Sequence, residues 1–369
     1  MADQRFPQAL HTLQAEDDAV EALLRDLVGI PSPSAHEAEA VGALVDWMTA
    51  YGAAQAFIDD AGNAIGVFGS TDPAARQIVL LGHIDTFGAA LPVYLEGRIL
   101  HGRGAVDAKG SLCAFAAAAA RAALPPETSL IVIGAVEEEA PTSNGARFAA
   151  GQYRPALCLI GEPSNWDRIT LGYKGRLLLE WRWQGDLGHS AGQTDTAAEH
   201  AFAFWEQVRA AVDQHNAGRD KVFARLDSAL QAINTGSDGV RGWAEMTIGF
   251  RLPPNIHPAA LADEMKSLAQ ASAGGGTLRT FGMEHACVAE KDTPLTRALR
   301  GAIRDEGGSP AFVHKTGTSD MNIVGRVWGC PIAAYGPGDS ALDHTPQERI
   351  DLDEYLRAVR VLTRALERL

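Results

Sequence analysis

Residues 77–86, QIVLLGHIDT, carry an apolar run, Ile78–Leu81, that leads into His83 and Asp85 beside a glycine. A short apolar run bounded in this way has the pattern of a strand buried on both faces, as in a parallel sheet. Positions two apart on a strand share a side. His83 and Asp85 therefore point to one place at the strand's C-terminal end, where α/β sheets put their ligands. The pair suits a metal-ligating His83 whose imidazole is oriented by Asp85 behind it. It also suits a capped strand end that binds nothing.

Two further apolar strands end on acids. SLIVIGAV (129–136) runs into Glu137-Glu138-Glu139, and ALCLI (156–160) runs into Gly161-Glu162-Pro163-Ser164. Three adjacent carboxylates repel one another unless a cation is close. The alternative is a solvated surface turn, which fits poorly after a strand apolar enough to be central. Asp107 lies in HGRGAVDAKG (101–110). The glycines suggest a phosphate loop, but GxGxxG lacks its third glycine and GxxxxGK is not met, which argues against a nucleotide site. What remains is a Gly-rich turn that delivers Asp107 as a carboxylate bridging two metals. Asp343-His344 follows the turn YGPG (335–338), where His344 taken alone reads as a loop histidine. Imidazoles, several carboxylates and one carboxylate left over as a base are what a dinuclear amide-hydrolysing centre needs.

The surrounding pattern alternates strand and helix. Asp17–Val28 reads as an amphipathic helix ended by Gly29 and a Pro-Ser-Pro break, and Ala35–Tyr51 as a second helix closed by Gly52. Ala64–Phe68 and Gln77–Leu81 are strands, and Ser111–Ala122 is a small-residue helix able to pack closely on a sheet. Such alternation predicts an α/β sheet with helices on both faces. After Gly175 the pattern changes. Arg176–Gln184 alternates as a half-exposed strand, followed by a helix over Thr196–His215 and strands over Phe223–Asn234 and Trp243–Arg251. A helix over Pro258–Ala271 and a strand over Leu278–Cys287 complete a β-α-β-β-α-β, ferredoxin-like unit. From Asp292 the chain returns to helix (Thr296–Glu306), and it closes with a helix over Leu352–Leu369. The expected organisation is a discontinuous catalytic domain, 1–174 and 288–369, interrupted by an inserted α+β domain at 175–287.

Composition narrows the function. The chain has 369 residues, 46% of them apolar and 21% charged, as in an ordinary globular protein of about two domains. Its formal net charge of −14 argues against nucleic acid as a partner. No basic start followed by an apolar run marks a signal peptide, and the apolar stretch Cys113–Ala120 is too short to cross a bilayer. Cys113, Cys158, Cys287 and Cys330 show no CxxC spacing and read as buried thiols in a reducing cytoplasm.

GHIDT, GRGAVDAKG, EEE, GEPS, GHSA and DHTPQE occur in the order seen in the ArgE/DapE/aminoacylase family of co-catalytic metallopeptidases, which the chain resembles over essentially its whole length. The resemblance implies two divalent ions per subunit, zinc or cobalt. His83 and Glu162 would hold one and Glu139 and His344 the other, with Asp107 bridging them. It makes Glu138 the general base, with Asp85 behind His83. Where the family usually reads Asp-Glu-Glu, this chain has Glu137-Glu138-Glu139. The inserted domain becomes a dimerisation (lid) domain, and His189 reaches across a homodimer interface to help stabilise the oxyanion in the partner's site. Arg251 in FRLPPN resembles the arginine that grips a substrate carboxylate, and a planar guanidinium suits that task. It also suits a structural arginine at a strand end. Lys174 and Asn234 are further substrate-binding candidates. Lys315-Thr316-Gly317 matches the KTG box of serine acyl enzymes, but no Ser-x-x-Lys accompanies it. KTGTSDMN instead resembles a variant of the family's Gly-Gly-Thr-Asp turn.

Within the family the chain most resembles the lysine-biosynthetic branch. Those enzymes release lysine or ornithine from a small acidic amino-group carrier protein by hydrolysing a γ-glutamyl isopeptide. An N-acyl amino-acid deacylase, of the acetylornithine or succinyl-diaminopimelate type, would share the same site. A non-catalytic binding protein on the same fold would not need the full set of acids.

Overall fold

The computed structural model describes residues 16–189, 192, 194–272 and 275–369. The chain folds as two compact units. The first takes in the described residues up to Gly172 together with Ala289–Val313 and Ser319–Leu369; the second comprises Tyr173–Val288 and His314–Thr318.

The first unit is built on a mixed sheet whose strands run, in spatial order, Gln55–Ile58, Ala64–Gly69, Thr128–Ala135, Arg76–His83, Leu157–Gly161, Ile332–Ala334 and Arg168–Tyr173. The four strands from Thr128–Ala135 to Ile332–Ala334 are mutually parallel, and their flanking neighbours are antiparallel. Arg76–His83 and Thr128–Ala135 are buried over almost their whole length, which is why their sequences are apolar without alternation. Parallel strands share one C-terminal edge, so every segment that leaves this edge enters the same space.

A row of glycines sets how closely that space is roofed. Gly134, Gly82 and Gly161 pair across three adjacent strands. A Cβ on Gly82 would lie 3.3 Å from Leu112, and one on Gly161 would lie 3.0 Å from Phe115 and 3.1 Å from the Gly82 backbone. Leu112 and Phe115 belong to the helix Lys109–Arg121, eleven of whose thirteen residues are buried and most of which are alanine or glycine. Small residues on both sides let the helix lie close to the sheet, and Asp107 stands just before its first turn.

The second unit is a four-stranded antiparallel sheet in the order Asp227–Ser237, Arg241–Leu252, Gly175–Asp186, Thr277–Glu284. Numbered along the chain this is second, third, first, fourth, the ferredoxin-like arrangement that the β-α-β-β-α-β order requires. Leu177, Leu179 and Trp181 are buried from one face of the first strand against helices Ala197–Asn216 and Pro258–Ala271. Thr196 and Glu199 form the capping box that starts the first of these helices.

Several boundaries differ from those read in the sequence. The second helix spans Ala38–Ala50, not Ala35–Tyr51, because Ala35 has a φ of 68° and its N–H is taken by the Glu37 side chain. The strand expected over Phe223–Asn234 begins with a 3₁₀ turn at Val222–Ala224 and pairs only over Asp227–Ser237. The strand expected over Leu278–Cys287 spans Thr277–Glu284, and the last helix ends at Leu366. A helix at Asn144–Gln152 and a strand at Arg168–Tyr173 carried no sequence reading; both are short, and the helix contains two glycines. Cys113 and Cys158 are buried, whereas Cys287 and Cys330 are half-buried, and none of the four is in a disulfide. Among the described residues no helix is long and apolar enough to cross a membrane.

Replacing Gly161 by Ala forces a methyl between Phe115 and the neighbouring strand. The expected outcome is a loss of about 1–3 kcal/mol in urea-induced unfolding, typical of overpacking a tight core.

Candidate metal centre

Four parallel strand ends supply the site. His83 closes one strand, and Asp85 follows it by two residues. Glu137-Glu138-Glu139 begins two residues after Ala135, Glu162 directly follows Gly161, and the fourth strand leads through Tyr335 and Gly338 to His344. Asp107 enters from the side, ahead of helix Lys109–Arg121; its peptide bond to Ala108 is cis.

These side chains meet. His83 Nε2 lies 3.3 Å from Asp107 Oδ1, and His344 Nε2 lies 3.0 Å from Asp107 Oδ2 and 3.1 Å from Glu139 Oε1. Ligand atoms of His83, Asp107 and Glu162 fall within 4.8 Å of one another, and so do those of Asp107, Glu139 and His344. Asp107 is thus common to both trios. Glu138 joins a third grouping with His83 and Glu139.

Asp85 is fully buried. Its Oδ1 accepts the Glu138 N–H and its Oδ2 the Glu139 N–H, each at 3.0 Å, while Ser34 Oγ donates to Oδ2 at 2.7 Å. Glu37 accepts the Glu137 N–H at 3.1 Å. Three consecutive amides of the acidic turn are therefore held by two carboxylates beneath it. His83 Nδ1 lies 3.0 Å from the Asp85 carbonyl oxygen and 3.4 Å from its carboxylate. Both are acceptors, so Nδ1 keeps its proton there and Nε2 is the nitrogen turned toward Asp107 and the site. Burial would lower the imidazole's pKa, but hydrogen bonds to Asp107 and Asp85 hold it well above the ordinary histidine value. The His344 ring stacks on Phe87, with centroids 4.1 Å apart and planes 9° from parallel.

The electrostatics follow from crowding. Burial pushes the Glu138 carboxyl well above the usual carboxylate range; His83 opposes this, while Asp320, Glu139 and Asp85 add to it. Glu162 is likewise raised by burial and by Glu138. Burial would raise Asp107 too, but hydrogen bonds with His344 and His83 hold it well below the ordinary range. Those to Asp107 and Glu139 push His344 up to about 10. Carboxylates so placed require positive charge, and a donor set of imidazole nitrogens and carboxylate oxygens fits two divalent metal ions.

Lys109 does not serve this site. Its ammonium is buried and donates to the carbonyls of Leu27 and Ile30 at 2.8 and 2.7 Å, closing the end of helix Asp17–Gly29, and burial lowers it to about 8.

The other candidates lie in the second unit. Lys174 is fully buried, and its ammonium donates to the Arg225 carbonyl at 2.7 Å and to the Asp227 carboxylate at 2.5 Å. That engagement accounts for its burial without a substrate. Arg251 donates to Thr318 Oγ1 at 2.9 Å. Asn234 is exposed on strand Asp227–Ser237. His189 is exposed, and its carbonyl accepts the Gly192 N–H at 2.7 Å. Ser190 and Ala191 of the GHSA motif lie outside the described residues.

Sequence reading passed over Ser34, Glu37 and Phe87. It quoted Asp320 within KTGTSDMN and Glu348 within DHTPQE without giving either a role. None of the first three belongs to a motif with a spacing rule, so their part became visible only in the fold.

The profile of peptidase family M20/M25/M40 matches residues 79–368. The chain is 50% identical over 362 residues to the [LysW]-lysine hydrolase of Deinococcus radiodurans, covering 95% of this chain and 97% of that protein. It is 37% identical to a putative [LysW]-lysine/[LysW]-ornithine hydrolase of Thermococcus kodakarensis, covering 96% of this chain and 93% of that one. Among solved structures, an M20 family metallo-carboxypeptidase from Sulfolobus solfataricus shares the fold with a TM-score of 0.77 at 17% identity, over 94% of this chain and 98% of that chain.

In Asp85→Asn the amide offers one acceptor oxygen in place of two. Either the Glu138 or the Glu139 N–H then loses its partner, and His83 loses its carboxylate. Calorimetric titration of the chelator-stripped variant should show divalent-ion affinity lowered about 10–100-fold.

Proposed function

The chain belongs to peptidase family M20/M25/M40, and on that premise we propose that it releases lysine, and ornithine as a second substrate, from the γ-glutamyl isopeptide of a small acidic amino-group carrier protein in amino-acid biosynthesis. It is a metal-dependent hydrolase of linear amide bonds. The reaction class is supported by the two ligand trios that meet at Asp107. The substrate is supported by end-to-end likeness to the Deinococcus enzyme.

In this reading His83 and Glu162 would hold one ion and Glu139 and His344 the other, with Asp107 common to both ligand sets. When bound, two divalent ions such as zinc or cobalt bring the pKa of water toward neutrality and polarise the amide carbonyl. Glu138 takes the proton of the attacking water and returns one to the leaving amine, so that lysine departs with a neutral amino group. A carboxyl raised by burial and by its acidic neighbours is suited to hold that proton between the two steps. Asp85 keeps Nδ1 of His83 protonated and anchors the backbone of Glu138 and Glu139. Arg251 receives the substrate's α-carboxylate, with Lys174 and Asn234 supporting the walls of the second unit.

The protein acts as a cytoplasmic homodimer in which His189 serves the partner's centre. Strand Asp227–Ser237 is the outer strand of the second unit's sheet and is exposed along most of its length, with Ile233 38% accessible. Such an edge is apt for pairing with a second copy.

Glu138→Gln should lower turnover by about 10²–10⁴-fold with both ions retained by elemental analysis. Mixing it with inactive His189→Ala should restore activity through hybrid dimers; no recovery would show that His189 does not cross between subunits. A mass-spectrometric panel of carrier-linked lysine, carrier-linked ornithine, N-acetylornithine and N-succinyl-diaminopimelate should show cleavage of the carrier-linked substrates. Preference for a free acylated amino acid would overturn the carrier assignment.

A further inference from the structure

Glu348 carries a buried charge that the reaction does not use. The residue is 1% exposed, and it belongs to none of the three trios of ligand atoms. Its Oε1 accepts three backbone N–H groups, those of Gly104 at 2.8 Å and of Val106 and Asp107 at 3.1 Å each. Its Oε2 accepts Arg103 Nη1 at 2.7 Å. The Glu348 carbonyl also accepts the Gly102 N–H at 3.2 Å.

The loop that makes these bonds lies between strand Ile99–His101 and helix Lys109–Arg121. Gly104 has a φ of 84°, a conformation open to glycine, and this bend turns successive amides toward one point. Converging N–H groups form a concavity that binds an anion, and here the anion is a side chain of the protein itself. Burying a carboxylate is costly unless its lone pairs are filled. Four charge-assisted hydrogen bonds fill them.

What the clamp holds is Asp107, whose two oxygens face His83 and His344. Glu348 follows His344 by four residues, and Arg103 also donates to the Thr345 carbonyl at 3.3 Å. One short segment, 344–348, thus supplies a ligand candidate and also grips the loop of the carboxylate opposite it.

We propose that Glu348 is a positioning residue of the metal centre: by gripping the Gly104–Asp107 backbone from the segment that carries His344, it sets Asp107 against His344 before any ion binds. The proposal rests on the two-metal reading above. A plain structural role would make Glu348 matter for folding alone, so the test reads metal affinity.

In Glu348→Gln the amide oxygen can still accept from the loop, but the NH₂ group opposes the Arg103 guanidinium. Titration of the chelator-stripped variant with Zn²⁺ and with Co²⁺ should show affinity lowered about 10–100-fold. Its kcat should fall about tenfold or more, with KM within about threefold. A folded variant with wild-type affinity for the ions, whatever its melting temperature, would overturn the proposal. If the variant does not fold, amide hydrogen exchange on stripped wild-type protein decides. Protection of Gly104, Val106 and Asp107 before metal is added supports the clamp; exchange at free-peptide rates until metal is added overturns it. Failure of the two-metal reading looks different, since wild type itself would then take up no divalent ion.

Discussion

Like charge gathered in a small space is the constraint from which the rest of the first unit follows. Asp107, Glu138, Glu139 and Glu162 converge on His83 and His344 at the C-terminal edge of a parallel sheet. Two like charges about 4 Å apart repel by about 1 kcal/mol in water and about 4 kcal/mol at an effective dielectric constant near 20. The opposite displacements of Asp107, which two imidazoles hold low, and of Glu138 and Glu162, which burial and acidic neighbours hold high, register that strain. Positive charge must offset it. Imidazolium does so in part, and divalent ions do so fully while releasing the imidazole protons.

A second layer of carboxylates keeps the first in place. Asp85, Glu37 and Glu348 are buried and aim at backbone N–H groups of the turns that bear Glu138, Glu139 and Asp107. These turns have no helical or strand ladder to satisfy their amides, so a buried acceptor both meets that need and fixes the turn. The chain therefore uses anions beneath the site to hold the backbone of anions within it. This works because each of these buried carboxylates accepts two or more N–H or O–H donors, whereas the outer ones converge on one another.

The sheet and the helix above it supply the rigidity. Glycines in register on three strands admit the alanine-rich helix that follows Asp107, so the position of that carboxylate is tied to close packing of the helix on the sheet. The second unit has its own core and its own antiparallel sheet, with a different job. Its outer strand, Asp227–Ser237, is exposed along most of its length, and Arg251 donates to Thr318 within it.

The sequence by itself determined the fold class and the local character of the site. Apolar runs ending in His83, the triple glutamate and Glu162 read as buried strands with ligands at their ends, and the β-α-β-β-α-β order after Gly175 specified the second sheet. These signals are local, since strand burial and turn chemistry are written in adjacent residues. The tertiary structure decided what adjacency cannot encode. It showed that Asp107 is shared by both trios, that Nε2 of His83 is the nitrogen facing the site, that Lys109 closes a helix, and that Glu348 grips a loop 241 residues away from it. His344 and Glu139 meet across 205 residues. No periodicity spans such distances; only the closing of the sheet and the seating of the helix on its glycines bring those atoms within reach.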